Sequence, residues 1–499
     1  MLALMVIVVM VVLSLGYRFY GRLVAANYSL SDERETPAVT KNDGEDFVPT
    51  QPFYLMGQHF SAIAAAGPIA GPIIACQLFG WLPCLLWIGF GVIFIGAVHD
   101  FSALVASVRH EAESVAEIAK RHIGRRAWLL VMSFIWLALI YVIVAFTDIT
   151  ASTFVGKTEE LAGMDVPFNA GGAVALASCL YLGLSIVMGL VERYLKPPLW
   201  LATVIFVPAT LFVVYLGTRF STALVLDVAN PQKVFGLSIL AYCLVASLLP
   251  VWLLLQPRGY LGGFVLYIAL FVGVVGVLFG ALRYPGEFQV LQPAMKGLDA
   301  GGAFGAMFPF LFVTIACGAC SGFHGLVCSG TTSKQIAKES HTKPVGYGAM
   351  LVEAFVAVLA LARVVILGEG TLPPPGKIYG DGLGQFLTVL IGKEHFVFAA
   401  TFGAMAFSTF VFDTLDVSTR LGRYILQELV GVGSRAAAVG ATALTLAIPA
   451  LFLAMAPAPA PGVRPAYMDF WMLFGTSNQL LAALTLLSIT VWLHRERRR

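Results

Sequence analysis

Thirteen stretches of mostly apolar residues, each about the 20 residues that a bilayer-spanning helix needs, follow one another along this chain. They cover approximately 1–17, 59–78, 83–107, 127–150, 171–191, 198–217, 235–256, 261–282, 305–330, 344–367, 385–412, 436–456 and 468–493. In lipid no water satisfies the backbone, so only helices or closed barrels span it, and runs this long exclude the barrel. The expected fold is an all-α polytopic membrane protein with about 13 transmembrane helices. Charge agrees: Asp, Glu, Lys and Arg make up 12% of the chain, against about 25% in soluble proteins.

Most of the 31 Lys and Arg fall in alternate connections when the tail with Arg495, Arg497, Arg498 and Arg499 is placed inside. By the positive-inside rule this puts the C-terminus in the cytoplasm and, with thirteen spans, the N-terminus outside. The expected location is the bacterial cytoplasmic (inner) membrane. Met1-Leu2-Ala3-Leu4 opens without a basic n-region and reads as a retained span.

The absent motifs narrow the function. There is no GxxxxGK[ST] loop for an ATP-driven pump, no HExxH for a membrane-embedded metalloenzyme, and no segment long enough for a signalling domain. Cys317 and Cys320 spell C-x-x-C, but no second ligand pair accompanies them. No enzyme activity, metal, cofactor or nucleic-acid partner is expected. The expected partners are a small-molecule substrate, a coupling ion (H⁺ or Na⁺) and membrane lipids. A passive channel or facilitator shares this composition and remains an alternative to a gradient-driven carrier.

Transporter sites form where helices at matching positions of two repeats are interrupted. The first interruption is Gly67-Pro68-Ile69-Ala70-Gly71-Pro72 in the span 59–78. The second is expected at Pro250 in 235–256. These positions give a five-plus-five inverted repeat: a leading helix 1–17, repeats at 59–217 and 235–412, and two terminal helices in 436–493. A third disturbed stretch, 315–332, gathers Ser321, Ser329, Thr331 and Thr332 at membrane depth. Gly67, Pro68, Gly71, Pro72, Pro250, Ser321 and His324 are the substrate-binding candidates, with Gly67 and Gly71 offering N–H groups to a carboxylate.

Ionisable groups at bilayer depth are costly and therefore functional candidates. Asp100, Glu353, Asp416, His59, Ser329, Thr331 and Thr332 are the ion-coupling candidates. Asp416 and Arg420 stand at i, i+4, so a local ion pair is the plain alternative for Asp416. Arg258 is expected at the inner rim. Asn478 and Gln479 read as amides that join helices.

Several stretches resemble the carbon starvation protein A family of bacterial transporters. They are Gly57–Asp100 with its Gly-Pro-Ile-Ala-Gly-Pro run, Leu249-Pro-Val-Trp-Leu-Leu-Leu-Gln-Pro-Arg258, Phe308–Gly318, Ser321-Gly-Phe-His324, Ser329-Gly-Thr-Thr332, Gly346–Glu353 and Phe474-Gly-Thr-Ser-Asn-Gln479. The resemblance implies a leucine-transporter type of five-plus-five fold in the amino acid–polyamine–cation superfamily. It implies import of peptides or of pyruvate, the latter with protons. The chain departs from the family pattern at Gln58, where a His pair is expected with His59, at Gly259, where an acidic residue is expected, and at Val417.

Overall fold

A computed structural model describes the chain except residues 45, 161–166, 302–304, 369, 371–372, 458–464 and 497–499. Arg497, Arg498 and Arg499 of the basic tail thus lie outside the described residues. The helices are α1 Leu2–Asn27, α2 Pro52–Ile63, α3 Gly67–Phe79, α4 Trp81–Arg109, α5 Val115–His122 and α6 Arg125–Thr153. Then come α7 Ala170–Tyr194, α8 Leu199–Arg219, α9 Pro231–Leu248, α10 Leu255–Arg283, α11 Met307–Thr314 and α12 Gly322–Val327. The chain ends with α13 Glu339–Val364, α14 Pro375–Ile391, α15 Lys393–Val430, α16 Arg435–Met455 and α17 Tyr467–Glu496. Eleven are long and apolar enough to cross a membrane, and the bent pair α2–α3 raises the number to 12 among the described residues.

The expected spans need correction in three places. The stretch 305–330 is two short helices, α11 and α12, separated by non-helical residues 315–321. The stretch 385–412 belongs to two helices, because Gly392 at φ +102° ends α14 before α15 begins. That backbone region suits glycine and stops a helix however apolar its neighbours are. The span expected to continue through Pro250 ends at Leu248 instead. Pro250 sits in the turn to α10, where Arg420 Nη2 donates to the carbonyls of Ala246 (3.1 Å) and Leu249 (2.8 Å). The guanidinium thus satisfies C-terminal helix carbonyls that have no partner within the helix.

The first break is also displaced. It occupies Ala64–Ala66, with a 42° bend, and Gly67 opens α3. Pro68 falls in the first turn, where its missing N–H removes no helix bond. Pro72 is carried inside α3.

The end of α13 and the end of α14 both meet the α10–α11 connection. After α13, Leu291 N donates to Val365 O (2.8 Å) and Gln292 Nε2 to Leu367 O (2.8 Å). Just after α14, Lys393 pairs with Glu287 at 2.5 Å.

The long helices α6 and α15 pack on each other at the centre; α17 lies against α6, and α10 lies against α2 and α15. A two-residue antiparallel ladder, Thr158–Glu159 with Phe168–Asn169, links α6 to α7.

Candidate substrate and coupling site

The two broken helices face each other at their breaks. A Cβ on Gly67 would lie 2.4 Å from Cys317 Sγ, and one on Gly71 would lie 2.5 Å from Thr314 O. Glycine at these positions lets the start of α3 touch the backbone at the end of α11 and the second break. Pro68 and Pro72 share this segment and are fully buried with it.

Backbone freed by the second break finds side-chain partners, as it must at membrane depth. Phe323 N donates to Asn478 Oδ1 at 2.7 Å, and Asn478 Nδ2 to Ser321 Oγ at 3.1 Å. Gln479 Nε2 reaches the carbonyls of Phe312 (3.0 Å) and Cys320 (3.1 Å). The Trp87 indole donates to Ile315 O at 3.2 Å. Asn478 and Gln479 therefore hold the break open, and Ser321 belongs to this brace.

Beside the breaks, four titratable side chains from three helices form one chain. His99 Nδ1 lies 2.8 Å from Asp100 Oδ1, and His324 Nδ1 lies 2.9 Å from Asp100 Oδ2. On its other edge, His324 Nε2 is 3.3 Å from Glu353 Oε2, at ion-pair distance without hydrogen-bond alignment. All four side chains have 0% exposure. His59, also buried, pairs through Nδ1 with Thr332 Oγ1 at 2.9 Å, and its Nε2 lies 4.0 Å from Cys328 Sγ. Asp100, His324 and Glu353 were separate candidates in the sequence, and the fold brings them together. His99 was passed over; its one signal was the adjacent His-Asp pair in an apolar span.

Ser329 and Thr331 turn back on their own helix, donating to Gly325 O (2.7 Å) and Val327 O (3.1 Å). Ser329 Oγ also accepts from Val115 N at 3.3 Å.

A second buried cluster lies between α10 and α15. Arg258 donates to both Asp413 and Asp416, Ser61 donates to Asp413, and the Tyr242 hydroxyl donates to Asp416 at 2.8 Å. Arg258 is fully buried, at 0% exposure. Asp416 takes Arg258 as its ion-pair partner instead of Arg420, which is engaged with carbonyls. A small cavity lies beside the second cluster, bordered by Gln58, His59, Thr331, Thr332 and Asp413. Gly259 and Val417 also line it, so all three departures from the family pattern meet there. Among the described residues no group of three or more His, Cys, Asp or Glu is arranged to hold a metal.

The family profile of carbon starvation protein CstA matches residues 1–373 and 373–499. This chain belongs to the CstA family. A peptide transporter CstA of Helicobacter pylori is 34% identical over 97% of this chain and 76% of its own length. The peptide transporter CstA of Escherichia coli K12 matches at the same identity and coverage. The pyruvate/proton symporter BtsT of the same organism is 30% identical over 97% of this chain and 76% of its own. Among solved structures, a manganese transporter of Eremococcus coleocola covers 89% of this chain and 81% of its own at 14% identity. The TM-score of that match is 0.38.

Proposed function

We propose that the chain is a secondary active transporter of the bacterial cytoplasmic membrane. It imports a small carboxylate-bearing nutrient, pyruvate or a short peptide, in symport with protons. The observation that carries the reading is the chain His99–Asp100–His324–Glu353 beside two apposed helix breaks. Four groups able to gain or lose a proton are sealed at membrane depth, where such groups mark ion pathways. The names of the CstA relatives, one of them a proton symporter, favour the same reading.

The five-plus-five repeat belongs to this proposal, with boundaries drawn from packing. Each half opens on a broken helix, α2–α3 or α11–α12. α10 packs on α2 as α17 packs on α11 and α12, and α6 corresponds to the long α15. On this reading the second break is 315–321, with the α7–α8 hairpin and α14 as insertions. Counting each broken pair as one crossing gives thirteen crossings, an outer N-terminus and a cytoplasmic C-terminus. Substrate sits at the breaks near Gly67, Gly71, Ser321 and His324. His59, Asp100, Glu353 and the hydroxyls of Ser329, Thr331 and Thr332 serve coupling, while Asp416 is held by Arg258.

Uptake of labelled pyruvate into proteoliposomes, with and without an inward proton gradient and in competition with di- and tripeptides, tests this. Gradient-driven uptake that peptides cannot block assigns pyruvate; driven uptake of peptide alone assigns peptides. Equilibration that ignores the gradient contradicts symport.

A further inference from the structure

We propose that the C-terminal end of α1 and the start of α13 hold the headgroup of an anionic phospholipid between Arg18, Arg22 and Lys343. The inference needs only a membrane-spanning fold and does not depend on the transport reading.

Close packing brings the three cations to one place. A Cβ on Gly21 would lie 3.0 Å from the Tyr347 ring, so glycine lets α1 close on α13 there. The Tyr347 hydroxyl donates to Ile93 O at 3.0 Å and ties α13 to α4 as well. The Lys343 ammonium lies 4.6 Å from the centre of the Tyr17 ring. Arg22 is near enough for its charge to oppose that of Lys343. Arg18 and Arg22 are both exposed and stand about one turn apart on α1.

No acid answers these charges. The helix α1 contains neither Asp nor Glu. The first acid after it, Asp32, accepts from Ser340 N and Oγ, both at 2.9 Å. Glu339, the acid nearest to Lys343 along the chain, is taken by Arg34 at 3.2 Å and Arg109 at 2.9 Å. Lys41, Lys120 and Arg121 each pair with a glutamate. Among the described residues Arg18, Arg22 and Lys343 make no ion pair. Like charges gathered in this way disfavour one another, and an anion between them removes the conflict.

The surroundings select a lipid as the source of that anion. Phe19 and Leu23, each next in sequence to one of the arginines, are exposed, as are Phe90 and Phe94 on α4. Tyr20 meets the Phe94 ring edge-on with centroids 4.9 Å apart, and Phe90 stacks on Phe94 at 6.3 Å. An apolar surface therefore begins beside the cations and continues onto α4, and both α1 and α4 are long and apolar enough to cross a membrane. Acyl chains suit that surface, and basic pockets between membrane helices suit anionic headgroups. Lys343 lies on α13, the helix that carries Glu353, so the bound headgroup fastens α1 to that helix.

The test uses the full-length protein, purified and delipidated in detergent. Thermal melting is followed as phosphatidylglycerol replaces phosphatidylcholine in mixed micelles. The proteins compared are the wild type, Arg18→Gln/Arg22→Gln, Lys343→Gln and Arg125→Gln/Arg126→Gln. The expected result is a saturable stabilisation by phosphatidylglycerol that phosphatidylcholine does not give. Its half-saturating fraction should rise about fivefold for each of the three cations removed, as about 1 kcal/mol per charge implies. Arg125 and Arg126, a basic pair at the start of α6, serve as the control and should leave it within about twofold of the wild type. Arg18 and Arg22 are exposed, so their double variant carries the test even if Lys343→Gln does not fold. Identical melting in the two lipids, a wild-type response in Arg18→Gln/Arg22→Gln, or an equal loss in Arg125→Gln/Arg126→Gln overturns the site. Inorganic phosphate at the same concentration should not stabilise the protein; an effect as large as that of phosphatidylglycerol overturns the lipid as its occupant.

Discussion

The two buried ionisable clusters differ in the kind of charge they hold. Arg258 stays charged at any accessible pH, and it is gripped by two carboxylates from one helix, Asp413 and Asp416. In the His99–Asp100–His324–Glu353 chain there is no permanent cation, and Glu353 makes no hydrogen bond at all. The first cluster ties α10 to α15 in one state. The second is made only of groups able to gain or lose a proton, carried by α4, α12 and α13. The lesson is that burial alone does not mark a coupling site; what matters is whether the buried charge can change.

The contrast breaks most sharply at Arg258. Arg258→Ala strands two carboxylates in the membrane core and should cost about 3–5 kcal/mol. A large fall in melting temperature in detergent, with poor recovery of monodisperse protein, is expected. A variant that melts like the wild type ends the claim that this cluster is a tie.

Smaller effects sharpen the other side. Asn478→Ala leaves the Phe323 amide buried without an acceptor, one residue before His324, and should cost about 1–3 kcal/mol. Melting and substrate affinity should both suffer, because the brace positions the break. Glu353→Gln removes a group that makes no hydrogen bond while keeping its shape, and His324 keeps Asp100 as partner, so stability should stay within about 1 kcal/mol of the wild type. Melting curves of the two variants side by side separate the brace from the coupling group.

The smallest effect belongs to a histidine pair outside the spans, with His110 buried and His122 half-buried. His122 Nε2 lies 3.0 Å from His110 Nε2. Burial, with help from the neighbouring His110, pushes His122 below the ordinary histidine value. The unfolded chain then takes up the proton first, so stability is lost as pH falls from about 6.5 through the lower folded-state value. The loss should be slight and should vanish in His122→Gln. Melting of both proteins across that window removes this contribution from any pH dependence assigned to the buried chain.

Hydropathy made the membrane class and most spans legible, because lipid imposes length and apolarity on every crossing. It reads composition and is blind to direction, so 385–412 joined the end of α14 to the start of α15 across Gly392. The Gly-Pro motif at 67–72 announced a break but not its place: proline is tolerated in a first turn, so the disruption settled on Ala64–Ala66. Asp416 and Arg420 stand at pairing distance along a helix, yet Asp416 found Arg258, far away in sequence, because burial favoured a guanidinium able to bridge two acids. The candidates Asp100, His324 and Glu353 could be named one by one from their depth. Their contact depends on how α4, α12 and α13 pack, which no local pattern encodes.

The central claim is that the titratable chain couples substrate movement to protons. The direct test compares wild type and Glu353→Gln in proteoliposomes, measuring both proton-driven uptake and substrate exchange without a gradient. The account predicts that Glu353→Gln loses gradient-driven accumulation by at least about tenfold while keeping exchange, since binding and alternation survive without the proton step. Full gradient-driven accumulation in that variant would contradict it.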